Sequence, residues 1–266
     1  MTATDSNQPA ATVALFISDL HLQAAHPRTT QAFLNFLQAR AMQVQQLYLL
    51  GDLFEYWAGD DDLETPYNSE IAAAIRQVSA SGVEVFWIAG NRDFLVGESF
   101  AQAAGLTMLP DPSVIEVAGR RLAIAHGDAQ CTDDLAYMAF RAQVRQPQWQ
   151  AQFLALPLAQ RKAIIAGVRK ESQEEQRHKT MEIMDVNAEA VNALFDATAA
   201  STLIHGHTHR PARHQMQQDN AIRTRYVLPD WEYDVKAQRG GWIAIDAAGT
   251  IRRFGHDGQE IPDDPA

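Results

Sequence analysis

Seven short runs of strand-forming apolar residues, six of which lead straight into Asp, His or Asn, constrain this 266-residue chain more than any other feature. They are TVALFIS (12–18), QLYLLG (46–51), VEVFWIAG (83–90), RLAIA (121–125), STLIHG (201–206), RYVLP (225–229) and GWIAID (241–246). Their apolarity is continuous rather than alternating, as expected of strands covered on both faces. Helical periodicity separates several of them. TQAFLNFLQARA (30–41) sets Phe33, Leu34 and Leu37 on one side, and NSEIAAAIRQVSASG (68–82) stops at Gly82. NAEAVNALFDA (187–197) repeats Val191, Leu194 and Phe195 behind an Asn187 N-cap. Strands alternating with helices predict an α/β fold, and the late strands without helices between them predict an antiparallel portion or a second sheet.

The stretch 132–182 contains no strand-like run and reads as helices broken at Pro147 and Pro157. Eight of the 22 Lys and Arg residues fall between Arg141 and Lys179, opposed only by Glu171, Glu174 and Glu175, although the chain as a whole has a formal net charge of -11. This stretch is expected to be a helical insertion in a single domain spanning 12–254. The residues alone leave open whether it is a lid or a helical layer covering the sheet with a solvated basic face. Residues 1–11 lack the basic and apolar regions of a secretory signal, and 255–266 are acidic; both are expected to be loose tails. No apolar run reaches the roughly 18 residues needed to span a bilayer. The single cysteine, Cys131, leaves no intrachain disulfide partner, excludes a thiolate-rich metal site and suits a reducing compartment. The acidic balance argues against a nucleic-acid partner.

The five polar blocks are Ser18-Asp19-Leu20-His21, Gly51-Asp52, Gly90-Asn91-Arg92-Asp93, Ala125-His126-Gly127-Asp128 and His205-Gly206-His207-Thr208-His209. In open α/β sheets, ligands bind where strands end. Residues i and i+2 of an extended chain project to one side, so Asp19 with His21, and His207 with His209, can grip one ion together. Each block alone is unremarkable, since polar pairs at strand ends are common turn formers. Together they deliver carboxylate, amide and imidazole donors without a thiolate, which favours Mn²⁺, Fe²⁺ or Zn²⁺. Seven donors exceed what one ion with open positions uses, and suit two ions about 4 Å apart sharing a carboxylate. The expected division gives one ion Asp19, His21, Asp52 and His209, and the other Asp52, Asn91, His126 and His207, with Asp52 as the bridge.

The order D-x-H, GD, GN, H, GHxH resembles the calcineurin-like metallophosphoesterase superfamily from about Thr12 to about Ile245. The resemblance implies a four-layer α/β/β/α sandwich with the ions at one rim. GDLFEYWAGDDD (51–62), GNRDFLVG (90–97), HGDAQCTDD (126–134), KTMEIMDVN (179–187) and IHGHTHRP (204–211) are similar to its lipid A branch, the UDP-2,3-diacylglucosamine diphosphatases. The wider superfamily usually has His after Gly-Asn, where it can serve as an acid; here Arg92 stands there. A guanidinium holds its proton near neutral pH but clamps phosphoryl oxygens with paired hydrogen bonds. That suits a phosphoanhydride, whose phosphate leaving group needs little protonation.

The resemblance implies two Mn²⁺ ions and hydrolysis of UDP-2,3-diacylglucosamine to UMP and 2,3-diacylglucosamine 1-phosphate. A metal-bound hydroxide would attack the uridine-proximal phosphorus, with Asp52 and Arg92 as the catalytic residues. It implies substrate contacts at Asn91, Arg92, Asp134, Ser172, Gln176, Lys179 and His207. Two departures are Gln176, where Asn is expected, and Pro229, where Gly is expected. It also gives the insertion a purpose: Trp149, Phe153, Leu154, Leu156, Ile164 and Ile165 would line an acyl slot. Arg and Lys would meet anionic head groups of the inner membrane's cytoplasmic face, each contributing about 1 kcal/mol. The competing readings are another phosphoesterase of the superfamily, such as a nuclease or nucleotide phosphodiesterase, and a metal-free scaffold. The full set of seven donors argues against the scaffold.

Overall fold

The computed structural model describes residues 10–176, 185–218 and 221–262, with two β-sheets packed face to face. Its strands are β1 (Thr12–Ile17), β2 (Gln46–Leu49), β3 (Glu84–Ile88), β4 (Thr107–Leu109), β5 (Ser113–Val117), β6 (Arg120–Ile124), β7 (Thr202–His205), β8 (Ala212–Gln218), β9 (Ala221–Val227), β10 (Gly241–Asp246), β11 (Ile251–Gly255) and β12 (Glu260–Ile261). Its helices are α1 (Pro27–Ala39), α2 (Pro66–Ala80), α3 (Glu98–Ala104), α4 (Leu135–Val144), α5 (Pro147–Leu154), α6 (Leu158–Gln176) and α7 (Ala188–Thr198). One sheet runs β12-β11-β10-β1-β2-β3-β4 and the other β5-β6-β7-β9-β8.

Continuous apolarity in the strands has a direct cause: successive side chains point to opposite faces, and both faces are covered. Leu15 and Ile17 of β1, Leu47 and Leu49 of β2, and Val85 and Trp87 of β3 join Phe33 and Leu37 of α1, Ile71 and Ile75 of α2 and Phe100 of α3. The alternate residues Ala14, Phe16, Tyr48 and Ile88 meet Leu122, Ile124, Ile204 and Tyr226 of the second sheet. On the far face of that sheet, Ala123 and Leu203 pack on Val191, Leu194 and Phe195 of α7. Three apolar layers therefore separate helices, sheet, sheet and helix, which is the expected α/β/β/α order. Between the sheets, the parallel register Phe16–Tyr48–Phe86 stacks three rings, with centroids 4.7 and 4.9 Å apart. Each such side chain contributes roughly 1.5–3 kcal/mol by leaving water.

α1 starts at Pro27, earlier than the periodicity shows, because its N-terminus is capped from far away. Asp234 accepts from Arg28 N at 3.1 Å and Thr29 N at 2.9 Å. The tail expected to be loose from Gly255 folds back instead: β12 pairs with β11 at Arg253↔Ile261 and Phe254↔Glu260. Residues 1–9 and 263–266 of the two expected tails lie outside the described residues.

The expected breaks in the insertion coincide with helix starts: Pro147 opens α5, and Pro157 immediately precedes α6. Five of its six described basic side chains turn to protein carboxylates rather than to the outside as expected; Lys170 is exposed. Arg161 is 2% exposed, donating to Ala58 O and Asp61. Lys162 Nζ is 2.6 Å from Asp62, and Arg169 pairs with Glu55. Arg141 and Arg145 turn to Asp128. Carboxylates on the underlying loops attract these cations more strongly than bulk water holds them, because burial lowers the local dielectric. The expected apolar slot is also divided: Phe153 is buried, Trp149, Leu156 and Ile165 pack against the first core, and Leu154 and Ile164 stay exposed.

Candidate metal centre

All five polar blocks follow strands whose C-terminal ends meet at one rim. β1, β2 and β3 are mutually parallel, as are β6 and β7. Short backbone bonds lock the turns together: Asp19 N donates to Gly51 O, His21 N to Asp52 O and Gly206 N to His126 O. Asp19, His21, Asp52, His207 and His209 all have φ between 48° and 67°, a left-handed region that only a few per cent of non-glycine residues enter, Asp and His among the commoner of them. Such strain collected at one spot indicates that donor placement there outweighs backbone comfort. Gly90 and Gly206 give room for the approach. A Cβ on Gly90 would lie 2.1 Å from Asp52 Oδ1, and one on Gly206 2.2 Å from Asp19 Oδ2.

The seven donors gather as two groups around Asp52. On one side, His21 Nε2 and His209 Nε2 are 3.3 Å apart, and His209 Nε2 lies 3.4 Å from Asp19 Oδ1. On the other, Asn91 Oδ1 is 2.9 Å from His126 Nε2 and 2.8 Å from His207 Nδ1. Asp52 lies between, Oδ2 3.9 Å from His21 and Oδ1 3.7 Å from His126. Asp19, Asp52 and His126 also place one donor atom each within 4.8 Å of one another.

These groups face each other as ligands rather than as a finished hydrogen-bond network. Asp19 is fully buried, yet its Oδ1 accepts no hydrogen bond from the described residues. A buried acceptor left so is unfavourable by roughly 1–3 kcal/mol, a cost that a cation held by Asp19, His21 and His209 removes. Burial alone would lower the pKa of His126, but the carboxylates of Asp52, Asp19 and Asp128 override it and push the imidazole up to about 9. Burial and the His126 charge bring His207 down to about 4. The field at Asp52 thus favours positive charge, and the mixed O and N donors fit two borderline divalent cations.

Residues that the sequence reading did not assign hold the donors in place. His21 Nδ1 lies 3.0 Å from Glu55 Oε2 and His126 Nδ1 2.9 Å from Leu50 O; Asp230 Oδ2 stands 3.8 Å from His209 Nδ1, too far for a hydrogen bond. Fixing the distal nitrogen sets tautomer and ring orientation. Asp93, fully buried, accepts from Leu53 N at 2.7 Å and Gly90 N at 2.9 Å, clipping the Asp52 loop to the Asn91 loop. Burial and the neighbouring Asp52 charge push Asp93 up to about 6. Asp93 and Asp128 stand inside the polar blocks and Glu55 inside GDLFEYWAGDDD, but no spacing rule marks them; Asp230 follows the RYVLP run directly yet stands outside the five blocks.

Of the expected substrate contacts, Asn91 and His207 are in the centre. Arg92 is half-buried beside it, its N–H donating to Asp52 Oδ1 at 2.8 Å. Its guanidinium forms no hydrogen bond or ion pair with the described residues. Asp134 is the N-cap of α4, accepting from Tyr137 N at 3.1 Å. Ser172 and Gln176 lie in the last turns of α6; their side chains, and Lys179 entirely, are outside the described residues. Pro229 stands in the β9–β10 loop, and the backbone N–H of nearby Trp231 donates to Asp19 O at 2.9 Å.

The calcineurin-like phosphoesterase family model matches residues 13–211. A UDP-2,3-diacylglucosamine hydrolase of Aromatoleum aromaticum is 50% identical over 244 residues, covering 91% of this chain and 97% of its own. One from Bordetella parapertussis is 47% identical over 87% of this chain and 91% of its own. One from Escherichia coli O81 is 50% identical over 82% and 90%. Among solved structures, an archaeal phosphodiesterase covers 91% of this chain and 98% of its own at 10% identity, with a TM-score of 0.45. Matched over most of its length by the family model and by relatives near half identity, this chain belongs to the calcineurin-like phosphoesterase family.

Proposed function

We propose that this protein hydrolyses the phosphoanhydride of UDP-2,3-diacylglucosamine to UMP and 2,3-diacylglucosamine 1-phosphate, a step of lipid A synthesis, with two divalent cations, Mn²⁺ in preference. The observation that carries the reading is the convergence of seven O and N donors in two groups about Asp52, with the Arg92 guanidinium beside them. Relatives named UDP-2,3-diacylglucosamine hydrolase, about half identical over most of the chain, support the substrate.

Asp19, His21, Asp52 and His209 would hold one cation, and Asp52, Asn91, His126 and His207 the other. When bound, the cations lower the pKa of water and draw negative charge off the phosphoryl oxygens. Asp52 keeps the two halves in register. Arg92 has its charge free to pair with equatorial phosphoryl oxygens as they gain charge. Its planar fork offers paired hydrogen bonds to the diphosphate, and the leaving group departs as phosphate, which needs little protonation. Glu55 and Leu50 O keep the His21 and His126 imidazoles oriented. Asp134, Ser172, Gln176 and Lys179 would hold the uridyl and sugar portions.

The acyl chains would lie against the exposed Leu154 and Ile164 of the insertion, with Val168 on the same α6 surface. We propose peripheral attachment at the cytoplasmic face of the inner membrane. No helix among the described residues is long and apolar enough to cross a membrane. With most of the insertion's cations engaged by protein carboxylates, apolar contact carries more of this attachment than charge. Cosedimentation with neutral and anionic vesicles reads the balance: binding confined to anionic vesicles would restore the electrostatic account.

The deciding experiment incubates the protein with UDP-2,3-diacylglucosamine and Mn²⁺ and follows UMP release. Chelation should stop release and Mn²⁺ should restore it; turnover of simple diesters with none of the acylated substrate would defeat the assignment.

A further inference from the structure

Two guanidiniums at α4 reach into the loops that carry the metal donors. Arg145, at the C-terminal end of α4, donates from Nη2 to Gly90 O at 2.9 Å, the peptide that leads into Asn91 and Arg92. The same group lies 3.7 Å from Asp128 Oδ2 and 5.2 Å over the Phe94 ring. Arg141, one turn earlier, donates from Nε to Asp128 Oδ2 at 2.8 Å and lies 3.6 Å from Asp111 Oδ2. Asp128 follows His126 by two residues and is fully buried, and Asp111 accepts from His126 N at 3.2 Å.

Residue Gly90 is thus held from both sides, its N–H by Asp93 and its carbonyl by Arg145. The next residue, Asn91, offers one amide oxygen to two imidazoles at 2.8 and 2.9 Å. A guanidinium can hold acceptors on two loops at a fixed separation, because its donors form a rigid fork. The other donor group, Asp19 with His21 and His209, has no comparable tie to α4 among the described residues; its link to the insertion comes from α6, where Arg169 pairs with the Glu55 carboxylate beside His21.

We propose that Arg145 is a positioning residue that sets the Asn91 amide against His126 and His207, so that the inserted helix completes one half of the centre and leaves the other half alone. The proposal rests on the dinuclear centre of the proposed function. Its test is a Mn²⁺ titration of the full chain, with free Mn²⁺ followed by electron paramagnetic resonance, for the native sequence, Arg145→Ala and Arg145→Lys. Loss of a residue that orients a ligand typically weakens metal binding about 10–100-fold, and here the loss should fall on one of two sites. kcat should fall with KM within about 3-fold, as when positioning rather than substrate binding is lost. Arg145→Lys keeps one donor and the cation above Phe94, so it should recover part of the loss. If Arg145→Ala does not fold, Arg145→Lys carries the test through the same one-site asymmetry.

Unchanged affinities, equal weakening of both sites, or a Lys variant no tighter than a folded Ala variant would overturn the role of Arg145. A native protein that binds two Mn²⁺ but releases no UMP would overturn the proposed activity, while the asymmetry still decides the role of Arg145. Binding of fewer than two Mn²⁺ by the native protein would sink both.

Discussion

The donor rim and the helical insertion meet at the same loops but are positioned by different means. In the rim, each donor follows a strand directly, its turn locked by backbone hydrogen bonds and five of its residues held at positive φ. Backbone geometry therefore fixes those atoms. In the insertion, Arg161, Lys162 and Arg169 are fixed by Asp61, Asp62 and Glu55, 100 or more residues away in sequence. The difference teaches that the centre is stiff because backbone hydrogen bonds tie its loops to one another, whereas the wall above it is held by side chains that can exchange partners.

Four substitutions sharpen that contrast. Asp52→Ala, at the heart of the rim, should reduce UMP release more than about 1,000-fold and lower occupancy of both metals, since a bridging carboxylate serves both ions. Metal analysis that found one ion fully retained would remove Asp52 as the bridge. Gly90→Ala should come next: its Cβ would stand 2.1 Å from Asp52 Oδ1, so the fold should lose about 1–3 kcal/mol by overpacking and metal binding should drop with it. Thermal melts and metal content measured on one preparation check the pair. Arg92→Ala should keep both metals yet slow turnover about 100–1,000-fold, the usual loss when a group stabilising developing charge is removed; near-normal kcat would make Arg92 structural.

Arg161→Ala probes the wall. It strips donors from Ala58 O and Leu156 O, at about 1 kcal/mol each, and should lower stability by about 2 kcal/mol in denaturant unfolding while kcat stays within about 2-fold. A collapse of kcat without loss of stability would show that Arg161 acts on the reacting geometry rather than on the wall alone.

Much of the rim was legible in the sequence. Continuous apolarity marks strands with two covered faces, as in Leu47, Tyr48 and Leu49, and the residue after such a strand has a predictable place. Edge strands escaped the same test. β5 and β8 bound the second sheet, so SVIEV alternates in burial and ARHQMQQ is mostly polar, and neither gives a continuous run. The carboxylates that orient the donors were hidden for another reason. Glu55 and Asp93 act across the fold on groups whose sequence neighbours are elsewhere. The insertion misled for that reason too: its excess of Arg and Lys is visible as a count, but Asp61 and Asp62, which absorb it, stand in a different block.

The strand order has a consequence for how the chain is made. β1 lies between β2 and β10, and β10 begins only at Gly241. During synthesis at about 5–20 residues per second, the first strand leaves the ribosome tens of seconds before its antiparallel neighbour exists. For that interval one flank of TVALFI stays without its partner, and Asp19 waits for the Trp231 amide that braces it. A nascent chain stalled short of residue 241 should therefore be open to strand capture by chaperones or by other unfinished copies, and the cation pair can be seated only near the end of translation.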